Sequence, residues 1–383
     1  MEAKNIQSYP VRNHAIPSSR TDISNGAHFD CPQYSVYYQG DRLVGKEKKH
    51  KVLKENPFVY IHKIEGKTAE STARALDKIL SYEEIIKPGE KVAIKVNLGG
   101  GINGVLSSYT DPLIVEGVID KLREIKAEPF VCEANMRAQT MNEGMLKRRG
   151  YYELLKRKSV PFVNLSEVKP VEFYFLDQEK PVLLPEVLLN PRTKIISLAC
   201  PKHHWECGVT LCQKNMYGAI WERKKSIYHY NLQWLDQVIA GAARVMKPEL
   251  SIIGARYLGA GLGPHFCIPI LFNCLIISND MLSADKVGSE LLGYPYEKVK
   301  HLMLNTQGGE IKYHLMEGSY IIPSEVKEKI KRHRVKPKDT ILWRRLLSLQ
   351  YRVPSGFQYR VYPKFEFIFT WINKLFYEPK GER

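Results

Sequence analysis

Residues 91–133 limit what this chain can become more than any other stretch. Residues 91–96 are apolar between two lysines, Lys91 and Lys95, and read as a buried strand. A glycine-bearing segment follows, Asn97-Leu98-Gly99-Gly100-Gly101-Ile102-Asn103-Gly104. Asp111-Pro112 then supplies both halves of a helix start, a side-chain acceptor at the cap and a fixed φ in the first turn. Ile114, Val118, Leu122 and Ile125 recur at helical spacing, while Glu116, Asp120, Lys121 and Glu124 take the other face. Residues 129–132 are a second apolar strand, ending at Glu133-Ala134-Asn135. A strand–helix–strand unit of this kind pairs its strands in parallel. The fold class expected is α/β, a mainly parallel sheet flanked by helices.

The pattern extends on both sides. Further strands are expected at 58–61, 160–163, 195–199, 251–253 and 275–277. Helices are expected from Thr68, over 231–245, over 280–292 with Asp280 as cap, and over 296–304. Residues 171–189 read as short extended pieces, and 259–265 as a glycine-rich loop built for close backbone approach. Residues 1–56 lack periodicity and read as an irregular N-terminal arm, packed in part through Tyr34, Tyr37 and Tyr38. Three parts result: the arm at 1–56, an α/β domain at 57–322, and a basic, aromatic-rich C-terminal extension at 323–383, with one more helix at 324–332.

The chain of 383 residues has 57 basic and 41 acidic side chains, a net charge of +16. From Pro323 onward, 15 lysines and arginines face 6 acidic residues, so much of the excess lies in the extension. Its Trp343, Leu346, Leu347 and Leu349 alternate with Arg344, Arg345 and Arg352, and Phe365, Phe367, Phe369 and Trp371 follow with few charges, a mixture suited to peripheral membrane contact through 336–383 or to packing on its own domain or a partner chain. No nucleic-acid-binding motif accompanies the charge, so no nucleic-acid partner is expected. Seven cysteines without CxxC spacing argue against a disulfide framework, a zinc ribbon or a ferredoxin-type iron–sulfur motif. The N-terminus has no signal-peptide core and no apolar run approaches a membrane span, so a cytoplasmic, membrane-associated at most, protein is expected.

The chemistry concentrates in residues 202–218: Lys202, His203, His204, Trp205, Glu206, Cys207, Thr210, Cys212, Lys214, Asn215 and Tyr217 follow the 195–199 strand. Such density at a strand end is where α/β proteins place their sites. Lys202, His203 and Lys214 are the acid–base candidates, because burial tunes lysine and histidine toward neutrality. Thr210 and Asn215 would orient them. A metal held by His203 or His204 with Cys207 and Cys212 is the weaker reading, since the spacing matches no standard ligand set. A lysine clamp on a phosphate or carboxylate is a third. The plainest alternative is a crowded turn in which histidines hydrogen-bond and cysteines fill space.

Gly99, Gly101 and Gly104 spell GxGxxG, but residues 105–110 separate them from the helix, so a dinucleotide fingerprint is disfavoured. A plain loop competes with a nest of backbone N–H groups holding an anion beside Lys95, Asn97, Gly99 and Asp111. His229 is divided between ligand contact and a structural role.

Lys95-Val96-Asn97-Leu98-Gly99, Tyr109-Thr110-Asp111-Pro112, Gly150-Tyr151, Lys202-His203, Thr210, Lys214-Asn215-Met216-Tyr217-Gly218, His229, Lys247-Pro248, Gly261-Leu262-Gly263-Pro264, Asp280 and Ala284-Asp285 occur in an order that resembles the domain of unknown function 362 family. The likeness covers residues 59–304. It implies one α/β domain of unassigned activity and, because members are often joined to iron–sulfur modules, a ferredoxin-like partner. This chain departs from the family at Gly254 and at His265, Phe266 and Cys267, and carries no ferredoxin-type cysteine run of its own. A fainter architectural likeness to nickel-pincer lactate racemases implies Lys/His proton transfer, without their cofactor.

The expectation is an enzyme on a small anionic metabolite, using Lys/His acid–base or redox chemistry, with its pocket between 97–111 and 202–218. The other class is a non-catalytic binding or assembly protein tethered by its basic tail.

Overall fold

The structure, a computed structural model, describes residues 27–334 apart from 101–104, 137–138 and 231. Among the described residues the strands form two sheets, one of ten strands and one of five. The centre of the larger sheet is parallel. Strand Thr193–Ala199 lies between Lys91–Lys95 and Leu250–Leu262, and Glu128–Glu133 and Phe162–Asn164 continue beyond Lys91–Lys95. These runs are apolar throughout because both faces are covered. Ile94, Ile196 and Leu198 pack with helices Thr68–Tyr82 and Pro112–Glu124. Ala93, Ile195 and Ala199 pack with helices Leu232–Val245 and Met281–Leu291. The mainly parallel α/β architecture is therefore the observed one, and Asp111 caps its helix by accepting from Leu113 N at 3.0 Å.

Three sequence-based expectations need correction. The 251–253 and 275–277 strands are parts of thirteen-residue strands, Leu250–Leu262 and Phe266–Ser278, paired antiparallel. The expected loop at 259–265 is mostly ladder, with Gly259 opposite Pro269, and only its end turns the hairpin. Glycine and an exposed Tyr257 hid the strand, since glycine weakens any β pattern. Close approach is nevertheless real: a Cβ on Gly259 would lie 2.6 Å from the Ser107 carbonyl and 2.8 Å from Lys202 Cβ.

The N-terminal arm is not irregular over residues 27–47. Ala27–Asp30, Tyr34–Gln39 and Arg42–Glu47 are antiparallel strands, joined by Pro170–Tyr174 and Val182–Pro185 into the second sheet. Gln39 pairs with Arg42, so Gly40-Asp41 is a two-residue hairpin turn, a signal present in the sequence. Tyr34 is buried and donates to the Leu189 carbonyl at 2.6 Å. Arg244 bonds both oxygens of Glu47, at 2.7 and 2.9 Å, and so ties this sheet to helix Leu232–Val245.

The helix expected over 296–304 splits into a 3-10 turn, Tyr296–Lys298, and helix Lys300–Thr306, because Val299 is extended between them. Helix Ser324–Arg332 forms as expected and buries Ile330 against the main core. The aromatic-basic segment 336–383, the arm before residue 27 and glycines 101 and 104 lie outside the described residues. Among the described residues no helix is long and apolar enough to cross a membrane.

Candidate functional site

The site is built where the central parallel strands end. Lys95, the last residue of its strand, is fully buried. Its Nζ donates to the Val96 carbonyl at 2.7 Å and to Asn215 Oδ1 at 3.3 Å, and pairs with Glu133 Oε1 at 2.7 Å. Glu133 ends the neighbouring strand, and also accepts from the backbone N–H of Leu98 at 3.0 Å and of Ala134 at 2.9 Å. Strand ends leave backbone groups without ladder partners, and one buried carboxylate satisfies two of them together with Lys95.

Helix Cys212–Gly218 docks on this edge through Asn215. Its Nδ2 donates to the Lys95 carbonyl at 2.8 Å and to Ser197 Oγ at 3.1 Å. From helix Met281–Leu291, Asp285 accepts the N–H groups of Cys212 and Gln213 at 2.7 and 2.9 Å. Burial raises the Asp285 carboxyl to about 7, while the two N–H groups pull it down. Asp285 therefore positions the helix, although sequence spacing gave it no partner.

Lys202 opens a short hairpin, Lys202–His204 against Gly208–Thr210. Its buried Nζ donates to Asn97 Oδ1 at 3.0 Å and to the Cys200 carbonyl at 3.4 Å. Asn97 is held in turn through its N–H to Thr110 Oγ1 at 2.8 Å. The two segments singled out in the sequence thus meet at the carboxyl ends of one sheet.

Lys214, on the docked helix, is nearly buried, and its Nζ lies 3.8 Å from the centre of the Tyr217 ring. It has no hydrogen bond or ion pair among the described residues. Burial lowers its pKa from the ordinary lysine range, against the pull of Cys207, Glu206 and Asp236 and with a push from Lys202. Lys225, in the 3-10 turn Lys225–Tyr230, donates to the Asn135 carbonyl at 2.6 Å, and burial lowers it to about 7. Glu206 and His229 form a pair at 2.5 Å.

Several other expected site residues are engaged elsewhere. His203 accepts from Gly261 N at Nδ1, at 3.0 Å, and its Nε2 faces the Leu292 carbonyl at 2.9 Å. Both nitrogens are committed to backbone and burial pushes the imidazole down to about 4, so His203 staples the hairpin and is poorly placed to carry protons. Asp111 is occupied by its cap bond and by Arg256, whose Nε and Nη2 reach its two oxygens. Thr210 is buried and its hydroxyl has no partner among the described residues. Gly99 offers its carbonyl to Arg149 Nη2 at 3.3 Å. Cys212 Sγ faces the Ser197 carbonyl at 3.7 Å. Among the described residues no group of three or more His, Cys, Asp or Glu side chains is placed to hold a metal ion.

Sequence reasoning missed Glu133 and Lys225 and the roles of His204, Glu206 and Asp285. Glu133 carried a signal, a carboxylate closing an apolar strand. Lys225 looked like half of a solvated Lys224-Lys225 pair. His204 accepts at Nδ1 from the N–H groups of Glu206 and Cys207, at 3.1 and 3.3 Å, which leaves the proton on Nε2. Burial first, then Lys214, His229, His265 and Lys202, push it well below the ordinary range.

Comparison with known proteins places this edge inside a matched region. A family model described as Domain of unknown function (DUF362) matches residues 92–290. A thylakoid-associated protein of Synechocystis sp. is 23% identical over 235 residues, covering 59% of this chain and 70% of the relative. A solved protein from Thermotoga maritima aligns with a TM-score of 0.30 and 14% identity, over 60% of each chain, so the chain spans about three-fifths of its length.

Proposed function

The chain belongs to the domain of unknown function 362 family, and on that footing we propose that it is an enzyme acting on a small anionic metabolite by proton transfer at Lys214. One observation carries the reading: Lys214 is a nearly buried amine with no hydrogen-bond acceptor among the described residues, held against Tyr217 within electrostatic reach of Lys202. A buried lysine whose pKa is lowered gives up its proton more readily than an exposed one, the direction a general base requires. In this reading Lys214 removes a proton next to a carbonyl or carboxylate. Lys202, fixed by Asn97, faces the charge that develops, and Lys95 with Glu133 and Asn215 keeps the floor rigid. An isomerase or lyase reaction fits these roles.

The test is solvent deuterium exchange into a panel of carboxylated and phosphorylated metabolites, followed by NMR. Wild type is expected to exchange a carbon-bound proton of at least one compound. Lys202→Ala with Lys214→Ala should reduce that rate about a hundredfold or more, as loss of general-base and electrostatic groups does. Unchanged exchange in a folded double variant removes this site.

A second reading is favoured by the thylakoid association named for the Synechocystis relative. Here the basic, aromatic segment 336–383 brings the protein to a membrane surface. Truncation before Lys336 should abolish flotation with anionic liposomes, and flotation of the truncated protein would exclude this segment as the anchor.

A further inference from the structure

The edge holds four buried lysines, and three of them lack a carboxylate partner. Lys95 is matched by Glu133 at 2.7 Å. Lys202 donates to the neutral oxygens of Asn97 and Cys200, Lys225 to the Asn135 carbonyl, and Lys214 rests on the Tyr217 ring. None of these three forms an ion pair among the described residues. Isolated buried charge is strongly unfavourable, so such a set either sheds protons or waits for a counter-charge. The three act on one another: Lys202 pushes on Lys214, and Lys214 pushes on Lys225. The nearby carboxylates are already engaged, Glu133 by Lys95 and two backbone N–H groups, Glu206 by His229.

We infer that the missing counter-charge is a phosphate-type dianion on the ligand, seated on Lys202 and Lys225 and leaving the Lys214 amine free for the proton transfer proposed above. The inference rests on the anion site proposed above and narrows its substrate to a phosphorylated compound. A single carboxylate offsets one ammonium. A phosphate dianion offsets two, the charges of Lys202 and Lys225, and its terminal oxygens accept from both. Lysine ammoniums are rotatable point donors that suit a tetrahedral head, whereas a planar carboxylate is best met by a bidentate guanidinium. Arg149, which also reaches this edge, is turned to the Gly99 carbonyl and stacked 4.3 Å from the Tyr109 ring centre.

Binding then carries a proton signature. Lys225 faces Glu133 and Lys95 from the strand ends, Lys214 from the docked helix and Glu222 from its own loop, and burial holds it at about 7. Lys214 faces Cys207, Glu206, Asp236 and Lys202. At pH 8 Lys225 is mostly neutral in the empty protein, and an arriving dianion makes it take up a proton.

The experiment is calorimetric titration of the full chain at pH 8 with inorganic phosphate, pyrophosphate and malonate, each in Tris and in HEPES. Phosphate or pyrophosphate is expected to bind, with a buffer-dependent heat corresponding to uptake of up to about one proton per site. Lys202→Met and Lys225→Met should each weaken that binding about tenfold or more. The wild-type buffer comparison stands even if a variant folds poorly. Malonate binding as tightly as both phosphates, phosphate binding that both variants leave unchanged, or phosphate binding without proton uptake overturns the phosphate inference and leaves an anion site standing. No binding of any of the three overturns the inference. The deuterium-exchange result then decides the proposed function separately.

Discussion

Lys202 and Asn97 stand 105 residues apart in the chain and share a 3.0 Å hydrogen bond, Nζ to Oδ1, at the end of one parallel sheet. That bond joins the glycine-bearing segment to the lysine-bearing one. Asn97→Asp would turn a neutral acceptor into a carboxylate and give Lys202 an internal counter-charge. Anion binding at the site is expected to weaken about tenfold, the worth of one charge-assisted contact, as read by titration with pyrophosphate. Undiminished binding would place the anion away from Lys202.

Lys95 and Lys214 should respond oppositely to the same substitution. Lys95→Met leaves Glu133 buried without its 2.7 Å partner and should cost about 3–5 kcal/mol, the usual penalty for breaking a buried pair. Lys214→Met removes a buried amine that has no ion pair among the described residues, and the shorter apolar side chain can keep the contact with Tyr217. Its stability should be unchanged or higher by about 1 kcal/mol. Urea denaturation of the two variants checks the contrast, and equal losses would mean that Lys214 is also paired.

The buried histidines predict acid sensitivity. Burial holds His203 at about 4, below its unfolded value of about 6.5, so the native state favours the neutral ring. Its contribution to stability is present above about pH 6.5 and is lost as pH falls toward 4, because the unfolded chain binds the proton first. Between pH 7 and 5 this one residue accounts for about 2 kcal/mol. His203→Asn, which keeps a side-chain acceptor near Gly261 N but does not titrate, should show a correspondingly shallower loss in denaturant titrations at the two pH values. Identical slopes would show that His203 is not the group responsible.

Much of this arrangement was legible in the sequence, for physical reasons that can be named. Asp111-Pro112 and the apolar runs around it dictate a parallel unit, and the polar density of residues 202–218 marked a site, although the structure buries nearly all of it. The long hairpin was hidden because Gly259, Gly261 and Gly263 suppress a β pattern, while the absent side chains of Gly259 and Gly263 are what let Lys202 and His203 come so close. Residues 27–47 were misread because their alternation is short, although Gly40-Asp41 marked the turn. Which lysines go unpaired was not legible: Lys95 and Lys214 look alike in sequence, and only the third dimension gives Glu133 to one and Tyr217 to the other.

The hairpin offers its own test. Gly259→Ala would set a Cβ 2.6 Å from the Ser107 carbonyl and 2.7 Å from Cys267 Sγ, both nearer than such contacts tolerate. A loss of about 1–3 kcal/mol is expected from such overpacking, and anion affinity should fall with it because Lys202 Cβ must also move. A neutral substitution would mean that the strand does not pass this close to Lys202.

The most direct measurement is a pH titration of lysine side chains by NMR in protein carrying carbon-13 at Cε, with Lys214→Met and Lys225→Met for assignment. The resonances of Lys214 and Lys225 are predicted to titrate below the ordinary lysine range, that of Lys225 near 7, and both to move upward when pyrophosphate is added, unlike that of Lys247, which burial also lowers. If every lysine titrates near 10 and pyrophosphate shifts none of them, there is no uncompensated amine set at this edge, and the site described here does not exist.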